Sequence, residues 1–318
     1  MRSAVITGVG LAVTGVRGVQ DLLSMRSRDS DVPAEPVVLH TRPTRNRDRA
    51  SGLALRAAGS ALRHAGFLGG GSAVRGELAA VVVSTNFTGL DVACACVDEV
   101  RSGSIGEYGP AGPPYTTSDV VAHWVAAEYR LRGPSLTLCN GPTSGLDAMY
   151  WARCLVETAR ATVVVVVGVE PDTTVVARLH GIDGVCRWLD GAAAVVVESA
   201  EHADRRGFVA RAEVAGYWRM AEVADVLRDA RSLGPDIGMY LADGQAGLPG
   251  AFDLTRRLGR CSGALGVLQC VVGTSWLDQG ASGAVLAIAG GTSAEQTCND
   301  AAVGLLLRTP RWSVTGAL

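Results

Sequence analysis

Gly133-Pro134-Ser135-Leu136-Thr137-Leu138-Cys139-Asn140-Gly141-Pro142-Thr143-Ser144-Gly145-Leu146-Asp147 is the stretch on which the fold turns. It predicts a short buried strand carrying Leu136 and Leu138, a tight turn at Asn140-Gly141-Pro142, and an apolar helix from Thr143 to about Val156. Strand–turn–helix elbows of this kind are where α/β enzymes often display a nucleophile. Here the apex residue is Pro142, which offers neither a nucleophilic side chain nor a backbone N–H.

Working outward, Leu78 to Ser84 and Thr162 to Gly168 are continuous apolar runs, the pattern of parallel strands buried on both faces. Ala192 to Glu198 supplies another strand, fed by a turn at Asp190-Gly191. At the N-terminus, Ala4-Val5-Ile6-Thr7-Gly8-Val9-Gly10 reads as a strand opening into a glycine turn. It lacks the third glycine and the following acidic residue of a dinucleotide-binding fingerprint. Helices are expected over Arg49–Ala65, Thr88–Val100 and Val120–Tyr129, the second with Leu90, Ala93 and Val97 on one face. Residues 20–50, with Pro33, Pro36 and Pro43, read as a surface excursion, and Gly103–Ser118 as a loop. Beyond a hinge near Glu201–Gly207 the scheme repeats. A strand over Phe208–Gly216 leads to a helix over Met220–Ser232 and a strand over Ile237–Leu241. Helices follow at about Phe252–Leu258 and at Gly263–Asp278, then strands over Ala284–Ala289 and Ala302–Leu307. Two successive series of this kind predict an α/β fold of two pseudo-duplicated halves, 1–202 and 203–318, in one compact layered unit.

Composition narrows the chemistry. The net charge of −2 over 318 residues gives no bulk electrostatic case for nucleic acid or an anionic membrane. All 29 basic residues are arginines, so no lysine can act as a Schiff base, general base or phosphate ligand. The eight cysteines are dispersed, without a CxxC pair, and Cys94 and Cys96 have no neighbouring histidine to complete a zinc site. No metal or cofactor is expected. Dispersed thiols, the absence of a signal peptide and the lack of a long apolar run predict a cytoplasmic protein without a transmembrane helix.

These segments together resemble the β-ketoacyl synthase family of the thiolase fold. The resemblance rests on the opening strand, Leu131-Arg132-Gly133-Pro134-Ser135, the elbow Ser144-Gly145-Leu146-Asp147-Ala148 and the strand Val163–Val169 with Glu170. It continues through Asp190-Gly191-Ala192-Ala193 to Glu198 and through Gly259-Arg260-Cys261-Ser262-Gly263-Ala264-Leu265-Gly266, similar to the family's Gly-His-x-x-Gly-Ala-x-Gly. Gly290-Gly291 is weakly similar to its C-terminal glycine turn. The resemblance implies a layered αβαβα core.

Three departures bear on function. The family's cysteine position, a thiolate at a helix N-terminus, is Pro142 here. The histidine of the family's His-Gly-Thr-Gly-Thr is replaced by Asp243, within Ala242-Asp243-Gly244-Gln245-Ala246-Gly247, and the second histidine by Arg260. No histidine follows His202. A carboxylate at Asp243 would repel the enolate that a condensing enzyme must stabilise.

Ketosynthase-like chains without the cysteine are the chain-length factors of type II polyketide synthases. The resemblance therefore implies a subunit without condensing activity that pairs with a catalytic ketosynthase, meets an acyl carrier protein transiently, and shapes the tunnel for the growing polyketide. Ser135, Leu136, Thr137, Leu138 and Cys139 would pair across the subunit interface. Leu90, Ala93 and Val97 would line the tunnel, with ordinary core packing as the plainer reading. The chain also reads as trimmed around Arg231–Gly259. Two other readings stay open: a scaffold or carrier-protein-binding homologue, and a divergent acyltransferase using Cys139.

Overall fold

The computed structural model describes residues 2–24, 37, 48–69, 76–103, 116–179, 187–234, 236–244, 248–291 and 301–310. The excursion expected at 20–50 and the loop at 103–118 fall mostly outside the described residues.

The first half runs β1 (Ala4–Val13), α1 (Val19–Ser24), α2 (Arg49–His64), β2 (Ala79–Ser84), α3 (Leu90–Ser102), α4 (Val120–Tyr129), β3 (Ser135–Leu138), α5 (Ser144–Glu157), β4 (Val163–Glu170), α6 (Thr174–Leu179) and β5 (Gly191–Ser199). After α7 (Ala200–Arg205) come β6 (Ala212–Met220), α8 (Val223–Ser232), β7 (Ile237–Leu241), α9 (Thr255–Leu258), α10 (Leu265–Asp278), β8 (Ala284–Gly290) and β9 (Ala302–Arg308). The strands form one nine-stranded sheet in the order β3-β2-β4-β5-β1-β6-β9-β8-β7. Among the described residues the ladder between its two wings pairs Val5 with Glu213 and Ile6 with Ala212.

Strand alternation builds the layers. On β4, Val164 and Val166 face an inner layer containing Leu146 and Met149 of α5 and Leu268 and Val271 of α10, while Val163, Val165 and Val167 face an outer layer of α2 and α4. On β8, Val285, Ala287 and Ala289 join the same inner layer, while Leu286 and Ile288 pack on Val226 and Ala230 of α8. The architecture is therefore α/β/α/β/α, the layered thiolase-like fold. Each fully buried valine contributes about 1.5–3 kcal/mol.

The duplication is visible in strand order. The first wing reads β3-β2-β4-β5-β1 and the second β7-β8-β9-β6, with β2 and β4 parallel as are β7 and β8. The second wing lacks a full counterpart of β3 among the described residues. A single bridge from Phe252 to Leu241 stands in that place, the Phe252 N–H donating to the Tyr240 carbonyl at 2.8 Å.

Several boundaries differ from the sequence reading. No turn forms at Gly8–Gly10, and β1 runs on to Val13, because the glycines let α2 lie directly on the strand. A Cβ at Gly8 would sit 2.3 Å from the Ala61 carbonyl oxygen, and one at Gly10 2.3 Å from that of Ala57. The stretch expected as a hinge is α7, capped by the Ser199 hydroxyl, which accepts from the His202 N–H at 3.1 Å. The expected helix at Phe252–Leu258 shrinks to α9 because Phe252 is bonded to β7. The strand predicted from Phe208 begins at Ala212 and continues through Tyr217 and Trp218. The plainer reading of Leu90, Ala93 and Val97 as core fails: no residue of α3 is buried, and Val97 is 51% exposed.

Candidate functional site

Three turns converge at the C-terminal end of β4. One follows β2 (Thr85 to Phe87), one is the elbow (Asn140 to Thr143), and one enters α10 (Gly259 to Ala264). The elbow is a short 3₁₀ turn over Gly141–Thr143 with Gly141 at φ 70°, a conformation that favours glycine. Ser144 ties it closed, its hydroxyl accepting from the Asn140 N–H at 2.6 Å and donating to the Gly141 carbonyl at 2.8 Å. Pro142 occupies the apex.

Asn86 joins all three turns. Its Oδ1 accepts from the Gly141 N–H at 3.1 Å, and its Nδ2 donates to the Gly141 carbonyl at 3.0 Å and to Ser262 Oγ at 2.8 Å. Beneath it lies Glu170, 1% exposed, accepting from the backbone N–H groups of Asn86 (2.8 Å), Gly263 (2.9 Å) and Phe87 (3.2 Å) and from the Thr85 hydroxyl (3.3 Å). Burial pushes its carboxyl up to about 8, against the downward pull of those donors.

The N-termini of α5 and α10 meet where neither helix has a side chain. A Cβ on Gly145 would stand 2.7 Å from the Gly266 nitrogen, and one on Gly266 2.3 Å from the Leu146 nitrogen. The first turn of α5 is anchored by Asp147, which accepts from Tyr217 Oη at 2.6 Å, Arg219 Nη1 at 2.9 Å, Thr143 Oγ1 at 3.0 Å and Asn140 Nδ2 at 3.1 Å. Burial and the hydrogen bond to Asp147 both raise the pKa of Tyr217. This network fastens the elbow to β6 of the other wing.

Pro142, Asp243 and Arg260 are the positions that the sequence resemblance matched to the family's cysteine and two histidines. Asp243 follows β7 and is 8% exposed. Arg260 is bridged to Trp188, donating its N–H to the Arg187 carbonyl at 2.8 Å, with its guanidinium 5.5 Å from the Trp188 ring. Between them Cys261 is buried, and its thiol is pushed well above the ordinary range, first by burial and then by the carboxylates of Asp253, Glu170 and Asp243. A thiol so placed stays protonated and unreactive.

Ser135 to Leu138 form the outermost strand of the first wing, parallel to β2, with Cys139 exposed just past its end. Leu90, Ala93 and Val97 lie on α3, away from both inner and outer core layers. The sequence reading did not single out Asn86, Ser262 or the Tyr217–Arg219 pair. A polar residue two past the apolar strand β2 was the available signal for Asn86. Among the described residues no group of histidine, cysteine, aspartate or glutamate is placed to hold a metal ion, and no helix is long and apolar enough to cross a membrane.

The family profile "Beta-ketoacyl synthase, N-terminal domain" matches residues 26–180. No curated protein matches the sequence. Among solved structures, "AntDE:AntF (apo): type II PKS acyl-carrier protein in complex with its ketosynthase bound to the hexaketide" is 17% identical with a TM-score of 0.79, over 98% of this chain and 100% of that one. "The ishigamide ketosynthase/chain length factor" is 19% identical with a TM-score of 0.75, over 96% and 99%. "Ketosynthase (ApeO) in Complex with its Chain Length Factor (ApeC) from Xenorhabdus doucetiae" is 13% identical with a TM-score of 0.69, over 97% and 98%. At these identities the shared property is the fold.

Proposed function

We propose that this chain, whose residues 26–180 match the β-ketoacyl synthase N-terminal profile, is a non-catalytic chain-length factor of a type II polyketide synthase, paired in the cytoplasm with a catalytic ketosynthase. One observation carries this reading. The elbow, its glycine crossing and its polar anchors are all intact, yet its apex is Pro142 and the two histidine positions hold Asp243 and Arg260. A condensing enzyme needs a thiolate to hold the acyl chain and two neutral or cationic donors for the enolate. This site supplies a proline and a buried carboxylate.

The edge strand supports a partner. Ser135 to Leu138, and Cys139 beyond them, are half-buried or exposed, and Tyr150 and Trp151 of the adjoining α5 are 36% and 47% exposed. The proposed partner adds its own edge strand there. Small side chains at Ala93 and the short Val97, with Leu90, form one wall of the proposed polyketide tunnel on α3. The acyl carrier protein is then a transient visitor to the pair.

The test is co-expression with a ketosynthase that has the cysteine and both histidines, encoded beside this chain. We expect one-to-one copurification, with polyketide formed only when both are present. A chain that purifies as a stable homodimer, ignores the ketosynthase and leaves product length unchanged is a scaffold instead.

A further inference from the structure

Outside the elbow, a cavity of about 280 Å³ opens between the end of β1, the segment before β5, and α9. None of Leu90, Ala93 and Val97 lines it. Val13, Leu189 and Leu258 give it apolar surface, and Arg187, Arg257 and Asp172 give it charge. Asp190, also on the wall, is already satisfied: Arg49 donates to it through Nε at 2.6 Å, and Thr14 through its hydroxyl.

The other two arginines are differently placed. Arg257 donates Nη1 to the Leu22 carbonyl at 2.6 Å and stacks 4.1 Å over the Phe252 ring, with no carboxylate offsetting its burial. Among the described residues most of its five N–H donors have no acceptor. Arg187 is exposed at the rim and is bonded by side chain to no acceptor among the described residues. Three guanidinium groups against two carboxylates, Asp172 and Asp190, leave one net positive charge over an apolar surface.

We propose that this cavity binds a small organic carboxylate, its anionic end taken by Arg187 and Arg257 and its hydrocarbon body by Val13, Leu189 and Leu258. A guanidinium fork matches a carboxylate in geometry. A single net charge suits a monoanion better than a dianionic phosphate, and the apolar surface suits an organic body better than an inorganic ion. The wall also reports to the turn that enters α10, because Arg187 and Leu189 are bonded through their backbones to Arg260, with N–O distances of 2.8 and 3.0 Å.

The test titrates benzoate into the purified full chain by calorimetry, with benzylamine and inorganic phosphate as comparators, and follows tryptophan fluorescence. Benzoate should bind saturably and change the fluorescence, a change lost in Trp188→Phe. Arg187→Ala should weaken binding about tenfold or more, and Arg187→Lys by less, since charge survives there while the fork does not. Arg187 is exposed, so unliganded melting temperatures should match wild type, and a variant that misfolds is replaced by Arg257→Lys. Absence of saturable benzoate binding, equal affinity in Arg187→Ala, or tighter binding of benzylamine or phosphate would each overturn the assignment.

Discussion

At Gly145 and Gly266 a single methyl group is decisive. Either alanine substitution drives a Cβ to within 2.7 Å of backbone across the helix crossing, where no flexible side chain can yield. Each should cost about 3 kcal/mol in urea unfolding, the upper range for overpacking, with an unchanged denaturant slope. Glu170 makes a pH prediction. Its folded pKa of about 8 lies above the ordinary 4.5, so the folded chain keeps a proton that the unfolded chain releases between those values. The associated stability is complete below pH 4.5 and is lost as pH rises to about 8, on the order of 5 kcal/mol in all. Urea midpoints across that window should fall for wild type. Glu170→Gln should flatten the slope while lowering stability throughout, because its amide confronts three N–H donors. Asn86→Ala should cost about 1–3 kcal/mol by orphaning the Gly141 N–H and Ser262. Glu170 and Ser262 lay within recognisable stretches, but their joining through Asn86 could not be read from the chain, since Asn86 meets Gly141 and Ser262 across 55 and 176 positions of sequence.

Among elements, β3 and α3 carry the predictions of partnership. Thr137→Pro in β3 removes a strand N–H and should abolish copurification with the ketosynthase while the isolated chain keeps its circular dichroism. On α3, Ala93→Phe or Val97→Phe should shorten the polyketide, read by mass spectrometry of the product. Unchanged length would remove these residues from the tunnel. The legible elements were those whose sequence does one job. Valine runs gave β2 and β4 nearly to the residue, because both faces of each strand are buried. The elbow was equally plain: Gly141, Pro142 and Ser144 each have a local role. Gly8 and Gly10 misled, since a glycine that admits a crossing helix looks in sequence like one that makes a turn. α3 was legible as a helix, although its apolar residues at helical spacing have no core behind them.

For the whole molecule, α5 and α10 occupy one layer against both wings, so the chain should unfold in a single transition by calorimetry and circular dichroism despite its internal repeat. The wings are unequal at their outer edges. Among the described residues no strand pairs with the outer edge of β3, whereas the Phe252 segment occupies the end of the corresponding edge of β7. That inequality sets a valency. A sheet with two open ends can recruit a neighbour at each and grow into a filament, but a sheet with one open end is a terminator. The proposed partner, added at β3, would by the same reasoning close the assembly at two members.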